Sequence, residues 1–125
     1  MQRMYEAMAA TRGRATADYG MGFIFYNRYL EKKSDVGNLM RAVEYLKRAV
    51  AEGDLYRAHY YLGLSYMEAR QYEKAGQAFI STREGDVDGR YLEQTSRMLL
   101  LINSLHKIGF KNIPALPGWE EPAAR

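Results

Sequence analysis

The stretch "HYYLGLSYMEARQYEKAGQAF", His59 to Phe79, decides what kind of chain this is. Tyr60, Leu62, Gly63, Tyr66 and Met67 recur at helical steps, and Tyr72, Ala75, Ala78 and Phe79 do so again after a short break. Such spacing places each set on one face of a helix. The same stretch holds four tyrosines, a histidine and two glutamates, so it also invites a reading as a reactive site.

The rest of the chain separates these readings, because the pattern occurs twice. "YGMGFIF" (Tyr19 to Phe25) and "YYLGLSY" (Tyr60 to Tyr66) both read Tyr-x-x-Gly-x-x-aromatic, with their glycines 41 residues apart. "AVEYLKRA" (Ala42 to Ala49) matches "AGQAFIST" (Ala75 to Thr82) at an offset of 33. The first unit therefore carries eight extra residues between its two helices, within "NRYLEKKSDVGN". A helix pair repeated at such a period is the mark of stacked hairpins, since one pair cannot bury its apolar face alone. Glycine in a helix costs about 1 kcal/mol relative to alanine. Its place in both units thus predicts a close approach of two helices at Gly22 and Gly63. Ala42 and Ala75 are small for the same reason, and Phe25, Leu46, Tyr66 and Phe79 fill the space beside them. These eight are the expected repeat-packing residues.

Further out, Leu39, Ala42, Val43, Leu46, Ala49 and Val50 form one more stripe, and Leu92, Thr95, Leu99, Ile102 and His106 another. Gly53-Asp54 breaks the first, with Asp54 placed to cap the next helix. "REGDVDG" (Arg83 to Gly89) is a second break, and Gly109 sits where a C′ glycine ends a helix. Strand-like alternation does not persist beyond a few residues. The expectation is an all-α chain: an antiparallel helix-pair solenoid of five main helices, or six if the N-terminal segment is separate. Two repeats, about 17–52 and 55–85, precede a capping helix at about 89–109, all in one domain of residues 1–110. The segment 111–125 contains Pro114, Pro117 and Pro122, which a regular helix does not accommodate, and it reads as an extended tail with the sole tryptophan, Trp119.

Composition narrows the function classes. A length of 125 residues suits one domain. The absence of cysteine excludes disulfides, thiolate metal sites and cysteine nucleophiles. It fits the cytoplasm or another reducing compartment. Met1, Met4, Tyr5 and Met8 with Arg3, Arg12 and Arg14 resemble either an amphipathic first helix or an organellar, mitochondrial leader. The lack of serine there favours the helix. A net charge of +3 falls short of a dedicated nucleic-acid binder. Met21 to Tyr26 and Met98 to Ile102 are too short to span a bilayer, so direct membrane insertion is not expected.

Leu62-Gly63, Tyr66, Ala75 and Phe79, with "YEKA" at Tyr72 to Ala75, closely resemble a tetratricopeptide repeat (TPR). His59 stands at the family's early tryptophan position and Val87 at its closing proline, two departures. The longer first unit is similar to Sel1-like repeats, whose interhelix loops are often extended. Ala42, Tyr45, Leu46, Ala49, Gly53, Ala58, Leu62, Gly63 and Tyr66 follow that pattern, with one residue extra between Gly53 and Ala58. Both resemblances imply helix pairs stacked into a solenoid and a role in binding proteins. They imply that the first helix of each pair lines a concave groove, with Tyr19, Phe23, Tyr26, Tyr60, Leu64 and Met67 facing inward, away from the repeat core. The basic and amide residues with which such grooves grip an acidic peptide C-terminus are missing from these positions.

Candidate chemistry is weak beside this. His59 and His106 lie 47 residues apart without the three or four ligands zinc needs. The pairs Glu68/Glu73 and Glu120/Glu121 read as solvated charges, since paired acids work only in a cleft that splits their pKa values. "DVDG" is too short for a calcium loop, and "REGDVDGR" lacks a phosphate-loop lysine. Ser65, Ser81, Ser96 and Ser104 have no histidine in a recognisable arrangement. Basic residues such as Arg41, Arg57, Arg70 and Lys74 are interleaved with acids, which disfavours a single-stranded nucleic-acid track. The expectation is a non-enzymatic adaptor, scaffold or chaperone-like module without cofactor or metal, its partner another protein. An accessory subunit of a larger complex, suggested by Met98 to Ile102 and Trp119, is the alternative. So is a mitochondrial-fission-adaptor-like protein, suggested by "YYLGLSYMEARQYEKA".

Overall fold

The computed structural model describes the backbone of residues 2–53 and 55–110, and side chains from residue 13 onward. Among these residues the chain is all-helical: α1 (Gln2–Glu31), α2 (Val36–Gly53), α3 (Tyr56–Glu68), α4 (Tyr72–Gly85) and α5 (Leu92–His106). Each helix packs on the next in the chain, and α1 also touches α3. Contacts run in opposite directions along each pair. Positions 15, 22 and 25 of α1 meet Gly53, Leu46 and Tyr45, while positions 60 and 63 of α3 meet Phe79 and 56 meets Gly85. Short loops force this antiparallel order, and the hairpins stack side by side.

The two hairpins close on equivalent contacts. A Cβ built on Gly22 would lie 2.6 Å from Leu46 Cγ, and one on Gly63 would lie 2.6 Å from Phe79 Cε1. Both distances are well inside carbon–carbon contact, so hydrogen is all that either site admits. Ala42, Leu46, Ala75 and Phe79 are fully buried, as the repeat requires. Phe25 and Tyr66 are only half-buried. Phe25 stacks on Tyr45 with ring centres 5.6 Å apart, and the guanidinium groups of Arg28 and Arg41 lie over it. Tyr66 touches both core clusters and carries Lys74 over its ring.

The eight extra residues of the first unit do not form an extended loop. After the packing glycine, α1 runs four residues longer than α3, and α2 starts three residues earlier relative to its packing alanine than α4 does. Only one residue is added to the turn, 32–35 against 69–71. Helical continuation satisfies backbone groups that a longer loop would leave to water. The N-terminal segment likewise continues α1 without a break, which gives five helices.

Helix ends depart from the expected signals. Asp54 lies outside the described residues, and Leu55 precedes α3 at the N-cap position without a side-chain cap. The C-terminus of α3 is a Schellman motif: Gln71 N–H donates to the Tyr66 carbonyl and Arg70 N–H to that of Met67. Arg70 takes the left-handed conformation there, at φ 61°. At the end of α5 the left-handed residue is Lys107, at φ 54°, and not Gly109. Between α4 and α5 the buried Asp86 accepts hydrogen bonds from the N–H groups of Arg90 (2.9 Å) and Tyr91 (2.6 Å). This carboxylate opens α5, where the orphan N–H groups of a helix start need an acceptor.

Two clusters form the core. Leu46, Ala49, Ala58, Leu62 and Ala78 join α2, α3 and α4, and Ala75, Phe79, Leu99 and Ile102 join α4 to α5. Three buried hydroxyls are satisfied locally: Thr82 Oγ1 donates to the Ala78 carbonyl, Ser65 Oγ to that of Tyr61 and Thr95 Oγ1 to that of Tyr91.

Candidate interaction surface

The stacking of α1 on α3 brings the expected groove residues of α1 to one place, around a residue that the repeat pattern did not mark. Tyr61 lies 6.1 Å from Tyr19, 5.1 Å from Phe23 and 5.8 Å from Tyr26, ring centre to ring centre, in edge-on geometry. Such pairs match the positive edge of one ring to the negative face of another. Tyr61 also touches Tyr60, which stacks on Tyr91 at 4.2 Å, and Tyr91 meets Tyr56. Seven rings thus connect α1, α3 and the start of α5. Phe23 is 39% exposed at one edge of this run, while Tyr26 is buried at 7%.

The other half of the expected groove lies elsewhere. Tyr60, Leu64 and Met67 pack against the Ala75–Phe79–Leu99–Ile102 cluster and are half-buried. They therefore face core, contrary to the expectation that they turn away from it. The reason is the cluster that α4 and α5 build together: Tyr60 meets the Phe79 ring of α4 and stacks on Tyr91 at the start of α5, and Leu64 and Met67 pack against the same cluster. Tyr61, Tyr56 and Tyr91 are the aromatic-surface residues that the sequence reading missed. Tyr61 is neighbour to Tyr60 in both sequence and space, and the α1 spacing Tyr19, Phe23, Tyr26 was the available signal that a partner ring stood opposite.

Burial is the first cause of every tyrosine shift at this surface. It raises the phenols of Tyr19, Tyr60 and Tyr61 above the ordinary value. Tyr26 is pushed up to about 12, by burial first and the Glu68 carboxylate second. These phenols are neutral hydrogen-bonding groups at physiological pH, not general bases.

The remaining candidates fall into packing or surface positions. His106 stacks on Tyr72 with ring centres 3.5 Å apart and ties α5 to α4. His59, Glu73, Lys74, Gln77 and Ser81 border an open cavity of about 490 Å³, floored by Val50, Leu62, Tyr66 and Ala78. Glu68 pairs with Lys33 at 3.5 Å across the hairpins. Ser96 is buried and Ser104 exposed. Among the described residues no three His, Asp or Glu side chains group as a metal site, and no helix is long and apolar enough to cross a membrane. In the run Met98 to Ile102, Leu99, Leu100 and Ile102 are buried, Met98 is half-buried and Leu101 is exposed, which reduces the apolar patch the sequence suggested there. Trp119, Glu120 and Glu121 lie outside the described residues.

Comparisons of the chain with known protein families, curated proteins and solved structures return no match. What fold and surface define is an all-α stack of antiparallel helix pairs carrying a connected aromatic face.

Proposed function

We propose that the chain is a non-enzymatic adaptor or scaffold of the tetratricopeptide or Sel1-like kind, and that the face centred on Tyr61 receives a segment of a partner protein. The observation that carries this reading is the run of rings from Phe23 through Tyr61 to Tyr91, buried at Tyr26 and open at Phe23. Tyrosine and phenylalanine offer large contact area at low entropic cost, and tyrosine adds a hydroxyl to orient the ligand. The neutral phenols suit an apolar segment, helical or extended, with hydrogen-bonding groups at its margin. α1 continues straight through its N-terminal half, so that half does not turn back over Tyr19 and Phe23.

The test is affinity purification with quantitative mass spectrometry, comparing the unaltered chain with Phe23→Ala and with Tyr19→Ala. Phe23 is exposed enough for its alanine variant to keep the fold, which circular dichroism verifies. Loss of the same co-purifying protein from both variants is expected. Unchanged recovery of every co-purifying protein from two folded variants overturns the assignment.

A further inference from the structure

The first hairpin carries a second built feature on the side away from Tyr61. On α1, Met21, Phe25 and Arg28 follow one another at four and then three residues, and on α2 Arg41, Tyr45 and Arg48 repeat that spacing. Each trio therefore forms one strip along its helix. The helices run antiparallel, and Phe25 stacks on Tyr45 with ring centres 5.6 Å apart and planes 9° from parallel. The strips thus meet ring against ring, with Arg28 and Arg41 towards one end and Met21 and Arg48 towards the other. Phe23 and Phe25 are separated by about 200° around α1, so this surface and the Tyr61 face point in nearly opposite directions.

The rings hold the cations in place. The guanidinium carbons of Arg28 and Arg41 lie 5.5 and 5.7 Å from the centre of Phe25, and that of Arg48 lies 5.3 Å from the centre of Tyr45. A guanidinium drawn to a ring is ordered in advance, while its N–H groups remain available to an oxygen. Arg48 donates to Glu44 at 3.0 Å, which uses one of its five N–H groups. Arg28 and Arg41 are exposed and pair with no carboxylate among the described residues. Two like charges gathered on one ring without a counter-ion are an arrangement that an anion completes. Beside them Met21, Ile24 and Met40 expose apolar surface.

From these observations we infer that this strip docks an extended acidic segment of a partner protein, in which two carboxylates flank one apolar residue at alternate positions. Arg41 and Arg48 are about 10 Å apart along α2. In an extended chain, residues i, i+2 and i+4 point the same way and the outer two are about 13 Å apart, a difference that the flexible acidic side chains absorb. One carboxylate meets the Arg28–Arg41 pair, the apolar side chain lies on the half-buried rings beside Met21, and the second carboxylate meets Arg48. A single-stranded nucleic acid fits less well. Glu44 stands between Arg41 and Arg48 in α2, where a run of phosphates would meet it, and the flanking surface is aliphatic where stacked bases need rings. The strip is independent of the Tyr61 face, so the chain has two docking sides, as a protein that joins two partners requires.

Nuclear magnetic resonance of the full-length protein tests this, with the peptide Ser-Glu-Ser-Leu-Ser-Glu-Ser as probe. The side-chain N–H resonances of Arg28, Arg41 and Arg48 and the backbone N–H of Phe25 and Tyr45 are expected to shift, while the backbone N–H of Phe23 and Tyr61 stays in place. Arg28→Gln with Arg41→Gln is expected to weaken binding about tenfold or more. Lys47→Gln, on α2 but outside the strip, is expected to leave it within about twofold. Arg41→Lys keeps the charge and loses the planar fork, and is expected to bind more weakly than the unaltered chain. Circular dichroism verifies that each variant is folded. The inference fails if the peptide moves no resonance of the strip, or moves those of Phe23 and Tyr61 instead. It also fails if Lys47→Gln costs as much as the double variant, if Arg41→Lys costs nothing, or if a peptide with serine in place of leucine binds equally. Tighter binding of a short oligothymidylate at the strip would overturn it in favour of nucleic acid.

Discussion

Two glycines on the same kind of helix should respond oppositely to one methyl group. Gly20 and Gly63 are both helical, but a Cβ on Gly20 meets nothing within 4 Å. Gly20→Ala therefore gains helix propensity and is expected to stabilise the protein by about 1 kcal/mol. On Gly63 the same methyl would lie 2.6, 2.7 and 3.0 Å from three carbons of the Phe79 ring. Carbon contacts are optimal at about 3.5–4.0 Å, so the ring must retreat by about 1 Å. Phe79 is fully buried and packs with Ala75, Leu99 and Ile102, which leaves it no free direction. Overpacking of this kind costs about 1–3 kcal/mol. Set against the propensity gain, Gly63→Ala is expected to be neutral to destabilising by about 2 kcal/mol. Subtracting the two variants cancels propensity and isolates the steric term, about 1–3 kcal/mol. Urea unfolding followed by circular dichroism measures it. In a double-mutant cycle, Phe79→Leu should relieve part of the Gly63→Ala cost, because the clash lies between those two residues. Equal stabilisation by Gly20→Ala and Gly63→Ala would show that α3 and α4 do not approach as described.

Two further outcomes follow from local geometry. Arg70→Gly should stabilise the fold by about 1 kcal/mol, since the left-handed position that closes α3 strains any side chain but suits glycine; a fall in the urea midpoint would contradict the Schellman assignment. Tyr26 links stability to alkaline pH: its folded phenol is raised to about 12 from an ordinary value of 10.0, so between those values the unfolded chain has lost a proton that the folded chain keeps. Its contribution is complete below pH 10 and disappears towards pH 12, at a cost of about 2–3 kcal/mol. Urea midpoints for the unaltered protein and Tyr26→Phe should diverge over that window, with the variant falling less, and parallel curves would rule the linkage out.

The sequence alone determined the repeat. Gly22 and Gly63, and Leu46 and Phe79, sit at the offsets where the two helices of each hairpin touch, because helix packing is local and a missing side chain is visible in the sequence. Helix periodicity likewise located α2 to α5, since an apolar stripe must be buried. The fate of the insertion was not legible: eight extra residues are compatible with a loop or with longer helices, and only the continuous backbone of α1 and the early start of α2 distinguish these. Nor was the aromatic surface. Tyr60 and Tyr61 are chemically alike and adjacent, and a helix turns about 100° between them. Which one meets Phe23 and which one meets Tyr91 depends on where α1 and α5 lie against α3. A one-dimensional pattern gives the faces of a helix, but tertiary packing selects which neighbour covers each. For this chain that choice placed Tyr60, Leu64 and Met67 against the cluster shared by α4 and α5 and left Tyr61 at the centre of the face it shares with α1.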